Sequence, residues 1–274
     1  MRKRKKKKSN AGKKFVLLLF LIAGISYLYL NSEAHHPLVS THAAAPENLE
    51  IPRSLTQREE IILKRTGYTV SYNTFYKTPN WVAWELTRRE TTGEEKRKNK
   101  FIADPDLPEP RVEHSDYTNS GYDRGHMAPA ADMKWSKKAM EESFYMSNIC
   151  PQNRKLNRDD WGDLEETCRK WAEKYGNVYI TCGPVYSEKN PKRIGEHKVA
   201  VPDQFFKVVL LYCHNEPVCL GFLFPNRAHH QELKKYVMTV DSVETITGLD
   251  FFSRLPDEIE EKIEAARCTL PPTN

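Results

Sequence analysis

The chain has 274 residues, 39% of them hydrophobic and 11% aromatic, which excludes a disordered or collagen-like polymer and fits one large globular domain better than two small ones. Its net charge of +5 comes from one end: nine of the 42 Lys and Arg lie in residues 1–14, which hold no acid, and the other 33 are outnumbered by 37 Asp and Glu. Global attraction of the remaining chain to a polyanion is therefore excluded, and any nucleic-acid binding must rest on a local basic site.

Residues 1–14, MRKRKKKKSNAGKK, read as a basic cytoplasmic tail. The uncharged run Phe15–Leu30, FVLLLFLIAGISYLYL, follows. A basic flank before an apolar run is the pattern of a transmembrane signal anchor or a signal peptide. The run is short for a full span, and tilt or flanking residues supply the rest. Either way the rest of the chain is expected outside the cytoplasm, anchored to the membrane or secreted, because the basic flank stays inside. Residues 31–60 read as a flexible tether, with a folded domain over 61–270.

Tyr68, Val70 and Tyr72 alternate, as do Val82, Trp84 and Leu86, which predicts paired strands over 67–86 with a turn at Thr78-Pro79-Asn80. Residues 88–121 are charged and Pro-rich and read as a long loop. Strands are expected at Val178–Cys182, Phe205–Tyr212 and Val218–Phe224, the last two joined by a turn at 214–217. Helices are expected at 136–146, 160–175, 242–247 and 257–266. Asp241 with Glu244 resembles a capping box, and Gly248 a helix stop. Hairpins and helices mix without a βαβ rhythm, so the fold class is α+β, with a mixed or antiparallel sheet.

The chemistry sits between Tyr122 and Arg169. Phosphodiester hydrolysis needs a base to activate water, and neutral His126 supplies one near pH 7. It needs a cation to offset charge on the phosphate, and Asn157 and Glu165 are oxygen donors suited to hard Mg²⁺ or its water shell. It gains from guanidinium groups on phosphate oxygens, and Arg124 and Arg169 are available. In the helix after Asn157, Leu164, Cys168, Trp171 and Tyr175 form a buried stripe, while Glu165 and Arg169, four apart, share another face. Taken singly, each residue has an ordinary explanation: a turn His, an Asx turn at Asn148, a surface pair at Glu165 and Arg169. Their occurrence together, in order, within about fifty residues is what carries chemistry.

The motifs Asp123-Arg124-Gly125-His126, Ser147-Asn148-Ile149-x-Pro151-Gln152 and Leu156-Asn157-x₃-Trp161-x₂-Leu164-Glu165 resemble the DNA/RNA non-specific endonuclease family. That family includes secreted sugar-non-specific nucleases and endonuclease G. The likeness extends over roughly residues 65–265, including Thr181-Cys182-Gly183-Pro184 and Thr239-Val240-Asp241. It implies a ββα-metal (His-Me finger) site with one Mg²⁺ or Mn²⁺, and DNA and RNA as substrates. By resemblance His126 is the general base and Asn157 the direct metal ligand. Glu165 holds metal-bound water, and Arg124 and Arg169 meet the phosphate. Asn148 orients the His126 side or the phosphate, and Asp123 is structural. Many family members carry an Arg just before the segment matching Phe101–Pro105. Here Arg97, Lys98, Asn99 and Lys100 precede it, and the sequence leaves open which takes that place.

None of the six cysteines has CxxC or zinc spacing, so no structural zinc is expected. Cys213 and Cys219 flank the predicted hairpin turn, where a disulfide would form in an exported domain. Cys150 and Cys168 are a second candidate pair, and reduced, partly buried thiols are the alternative. The functional alternatives are a phosphodiesterase of the same site acting on another substrate, a non-catalytic nucleic-acid-binding domain, and a tethered interaction domain with a dead site. A homodimer is compatible with the sequence but nothing in it indicates one.

Overall fold

The computed structural model describes residues 46–188 and 190–273. The basic tail and the apolar run Phe15–Leu30 lie outside the described residues. Among the described residues no helix is long and apolar enough to cross a membrane. Four strands come first: β1 (Arg53–Ser54), β2 (Ile61–Lys64), β3 (Thr69–Asn73) and β4 (Thr78–Thr87). Then come β5 (Asp123–His126), α1 (Lys137–Glu142), β6 (Ile149–Gln152), α2 (Arg154–Arg158) and α3 (Asp160–Tyr175). The chain continues through β7 (Asn177–Val185), β8 (Arg193–Ile194), β9 (Val199–Ala200), β10 (Gln204–Cys213) and β11 (Glu216–Pro225). It ends in β12 (Val237–Met238), α4 (Val240–Thr247), β13 (Leu249–Asp250) and α5 (Asp257–Glu264).

A seven-stranded antiparallel sheet, ordered β12-β11-β10-β7-β4-β3-β2, forms the frame. The expected α+β class is the observed one. Alternation assigns the faces: along β10, Phe205, Val209 and Leu211 are buried on one side, and Phe206, Val208 and Leu210 on the other. The first side packs under α3, whose Trp161, Leu164, Cys168 and Trp171 are at most 1% exposed. On the second side Phe206 meets Phe251 with ring centroids 5.7 Å apart, and Gly221 lies so close to Val243 of α4 that a Cβ would come within 2.8 Å of it.

Several elements differ from expectation for local reasons. The β3–β4 turn falls at 74–77, not at Thr78-Pro79-Asn80, because Asn73 Oδ1 accepts from the backbone N–H of both Phe75 and Tyr76, at 3.0 and 2.9 Å. The helix expected at 136–146 stops at Glu142, because Phe144 O and Met146 N are drawn off to bond Ile102. Helix α4 starts two residues before the expected 242. Thr239 caps it by accepting from Ser242 N at 3.2 Å, so Asp241 and Glu244 form no capping box. Residues 46–60, expected to be tether, belong to the fold: β1 pairs with β13 and Leu49 is fully buried. All six cysteines are free. Cys213 sits opposite Glu216 and Cys219 opposite Leu210, so the expected disulfide across this hairpin has no geometry to form. Cys150 and Cys168 are buried, unpaired thiols.

Candidate active site

The site is built on a two-stranded ribbon, β5 against β6, in which Asp123 faces Gln152 and His126 faces Ile149. Gly125 is required there, since a Cβ would stand 2.2 Å from Gln152 Oε1 and 2.6 Å from its Cβ. Strand alternation puts Arg124 and His126 on one face and Asp123 on the other. Asp123 faces α2 and accepts from Arg158 Nε at 3.0 Å, Arg154 Nε at 3.4 Å and Asn157 Nδ2 at 3.3 Å. These bonds fasten the short helix to the ribbon, which makes Asp123 structural.

His126 is 7% exposed and lies between the rings of Phe101 and Phe144, with centroids 5.3 and 5.0 Å away. Its Nε2 is buried and has no hydrogen-bond partner. Burial, and then the charge of Arg97, hold the imidazole pKa down at about 3. The ring is therefore neutral at pH 7, with the lone pair of its imidazole free of a proton. Arg97 is the residue of the 97–100 stretch that faces the site. Its guanidinium lies 5.2 Å over the Phe144 ring and within electrostatic reach of both His126 and Glu165. Lys98 pairs instead with Glu141 at 3.8 Å, and Asn99 accepts from Arg97 Nε at 2.7 Å. Arg124 lies 5.4 Å over the Phe101 ring and donates to His114 O at 3.1 Å.

Asn148 is fully buried, with Oδ1 accepting from Ala128 N and Nδ2 donating to Ala128 O and Ser143 O, each at 2.9 Å. Of its two expected roles, contact with a substrate phosphate does not fit, because its donors are spent on backbone. Its bonds tie down the chain two residues after His126. Asp104 braces the same turn: it pairs with Arg65 at 2.5 Å and accepts from Ser147 Oγ.

Asn157 lies on α2 and Glu165 in the second turn of α3, across the break at Asp159. With Asn157 Nδ2 held by Asp123, its Oδ1 is left without a partner among the described residues. Burial raises the Glu165 pKa to about 7, opposed by the positive charges of Lys207 and Arg169. Arg169 donates to Asp132 at 3.0 Å, and the buried Asp132 also accepts from Trp84 Nε1 at 3.1 Å. A hard divalent cation suits this donor set. It offers an amide oxygen, a carboxylate that burial leaves in need of positive charge, and no thiol or second imidazole to favour a softer metal.

Two residues escaped the sequence reading. Asp132 anchors Arg169 and carries no local signature. Lys207 is fully buried in the middle of β10, with its ammonium 4.1 Å from the Trp161 ring centroid and 5.7 Å from that of Trp84. Two ring faces contribute about 0.5–2 kcal/mol each, less than the several kcal/mol that burying an ammonium costs. Glu165 and Asp132 lie within its electrostatic reach, although Lys207 Nζ makes no hydrogen bond among the described residues. A signal existed: Lys207 shares the inward parity of Phe205 and Val209, where a cation is out of place.

Residues 45–258 match the family described as DNA/RNA non-specific endonuclease, and the chain belongs to that family. It is 37% identical to the mitochondrial nuclease EXOG of Danio rerio over 206 residues, 69% of this chain and 60% of that protein. It is 36% identical to mitochondrial nuclease 1 of Schizosaccharomyces pombe over 210 residues, 69% of this chain and 65% of that protein. The chain thus spans about three fifths of the length of these relatives. The crystal structure of an EndoG/EndoGI complex, concerned with EndoG inhibition, superimposes with a TM-score of 0.68 at 31% identity, covering 72% of this chain and 88% of that one.

Proposed function

We propose that this chain is a Mg²⁺- or Mn²⁺-dependent endonuclease that hydrolyses phosphodiester bonds in DNA and RNA with little sequence preference. The observation that carries this reading is His126: a neutral imidazole with an unpartnered buried nitrogen, at the end of a ribbon fastened to the helix that bears Asn157. His126 takes a proton from the attacking water. Asn157 Oδ1 would hold the cation directly, and Glu165 would hold it through water. When bound, the ion offsets charge on the phosphate and the leaving oxygen. Arg97, Arg124 and Arg169 meet phosphate oxygens, and Asp132 and Lys207 keep the α3 side of the site in place. Contacts to phosphate rather than base edges give affinity without sequence readout. Asn148 orients the His126 segment.

The test is digestion of plasmid and of RNA, with and without EDTA, by the wild type and by His126→Ala. Both substrates are cut by the wild type and spared in EDTA, and the variant folds but is nearly inactive. Cleavage by a correctly folded His126→Ala at the wild-type rate contradicts the mechanism.

The basic residues of 1–14 and the apolar run Phe15–Leu30 support an anchor or export signal that places the catalytic domain outside the cytoplasm. Protease shaving of intact cells then removes the catalytic domain. A domain digested only after lysis overturns this placement.

A further inference from the structure

The corner where α4 meets α5 holds a group of acids that the nuclease site does not use. Asp241 and Glu244 stand one turn apart on α4, and Glu264 ends α5. One carboxylate oxygen from each lies within 4.8 Å of the others. Their exposure is graded: Asp241 is open to solvent, Glu244 half-buried, and Glu264 5% exposed. Capping does not explain the two α4 acids, since Thr239 performs that task. Glu244 spends one oxygen on Phe251 N, at 2.8 Å.

Glu264 is the independent sign of a ligand. Its Oε1 is shut away from solvent and has no hydrogen-bond partner, although the side chain ends among two other carboxylates. Buried polar atoms are almost always partnered, so an orphan of this kind asks for a missing group. No ion pair joins any of the three acids among the described residues. Arg53, the nearby cation, is bonded to Asp250 at 2.5 Å. Asp250 and Glu260 add to the negative field. Among the described residues the three acids have no cation paired with them and have oxygen donors to spare.

We propose that Asp241, Glu244 and Glu264 form a calcium site that clasps α5 to α4. The donors are all oxygens, which selects a hard cation over zinc or copper. Ca²⁺ binds oxygens at about 2.3–2.6 Å, so two ligands of one ion can stand up to about 5 Å apart, and the observed spread fits within that. Mg²⁺ at about 2.0–2.1 Å requires a tighter group and a more regular octahedron. The buried Glu264 supplies the inner ligand, and the open side at Asp241 leaves coordination positions to water. The clasp concerns the stability of the C-terminal helix and not phosphodiester cleavage, so it stands apart from the nuclease reading.

The test is thermal melting of the full chain carrying Asn157→Ala, which silences the proposed catalytic metal position, in EDTA and in Ca²⁺. At a hundredfold excess over Kd, Ca²⁺ raises Tm by about 5–10 °C. Adding Glu264→Gln abolishes this response and, by relieving repulsion, raises the melting temperature in EDTA. Asp241→Asn, at an exposed position that cannot unfold the chain, weakens Ca²⁺ affinity at least tenfold. No Ca²⁺ response in the parent overturns the proposal, as does a response that both carboxylate variants keep in full.

Discussion

The two faces of the central sheet are built on opposite principles. Against α4 and the segment after it, Phe206, Val208, Leu210, Val243, Phe251 and Phe252 are at most 1% exposed and form an apolar layer, and the acids on that side gather at the α4–α5 corner. Against α3, in a core just as dry, Lys207 and Asp132 are buried beside Trp84 and Trp161, with Arg169 and Glu165 at the rim. An apolar layer gains stability from burial alone. A layer with buried charges gives up part of that gain, and the loss is tolerated where the charges hold a reactive group in place. The comparison therefore assigns chemistry to the α3 face and anchorage to the α4 face.

The largest effect expected is on the α3 side. His126→Ala lowers kcat by about 10²–10⁴-fold, the usual worth of a general base, with the circular dichroism spectrum unchanged. Asn157→Ala follows, with lower rate and a higher Mg²⁺ requirement together, seen in metal titrations of the rate. If the rate falls with no change in metal requirement, Asn157 is not the ligand.

Supporting residues come next. Asp132→Asn loosens Arg169, and Lys207→Met removes the charge beneath Glu165. Each lowers kcat/KM by about 10–100-fold, the range seen when groups behind a metal site are changed. A Lys207→Met enzyme with full activity would confine that residue to packing. On the opposite face, Phe251→Ala costs about 3–5 kcal/mol of stability, measured by denaturant unfolding. Activity per folded molecule stays at the wild-type level. A large loss of kcat in that variant would break the division between the faces.

The smallest effect is a null in titration. The His126 pKa is lowered to about 3, so its imidazole stays neutral in the folded state. NMR of the ring nitrogens shows no protonation between about pH 5 and 8. The sign for stability follows: the unfolded chain gains a proton on this His as pH falls through the ordinary histidine range, and the folded chain does not. The folded state therefore loses stability on acidification from about pH 6.5 towards 3. A midpoint near 6.5 in the folded protein would mean the ring is solvated and the site open.

Much of this was legible in the sequence where the signal is local. Helix α3 follows from its apolar stripe, and the β10–β11 hairpin from two apolar runs around His214 and Asn215, which adopt φ of 53° and 69°. Most motif residues of 122–169 lie on the ribbon and the two helices that follow it, with Asp123 bonded to Asn157 across them. What stayed hidden depends on distant partners. Strands β5 and β6 are four residues each and meet across an intervening helix, so neither shows a period. Arg97 is singled out from its three neighbours by the Phe144 ring and by His126, which lie far along the chain. The β1 strand sits in a segment that reads as tether, because its partner β13 is almost 200 residues away.

The central claim is that a hydrated cation sits between Asn157, Glu165 and His126. Anomalous diffraction from crystals soaked in Mn²⁺ tests it directly. The account predicts a peak bonded to Asn157 Oδ1, with Glu165 and His126 reaching it through water. A peak elsewhere in the protein, with Asn157 turned away and no ion beside it, would contradict it.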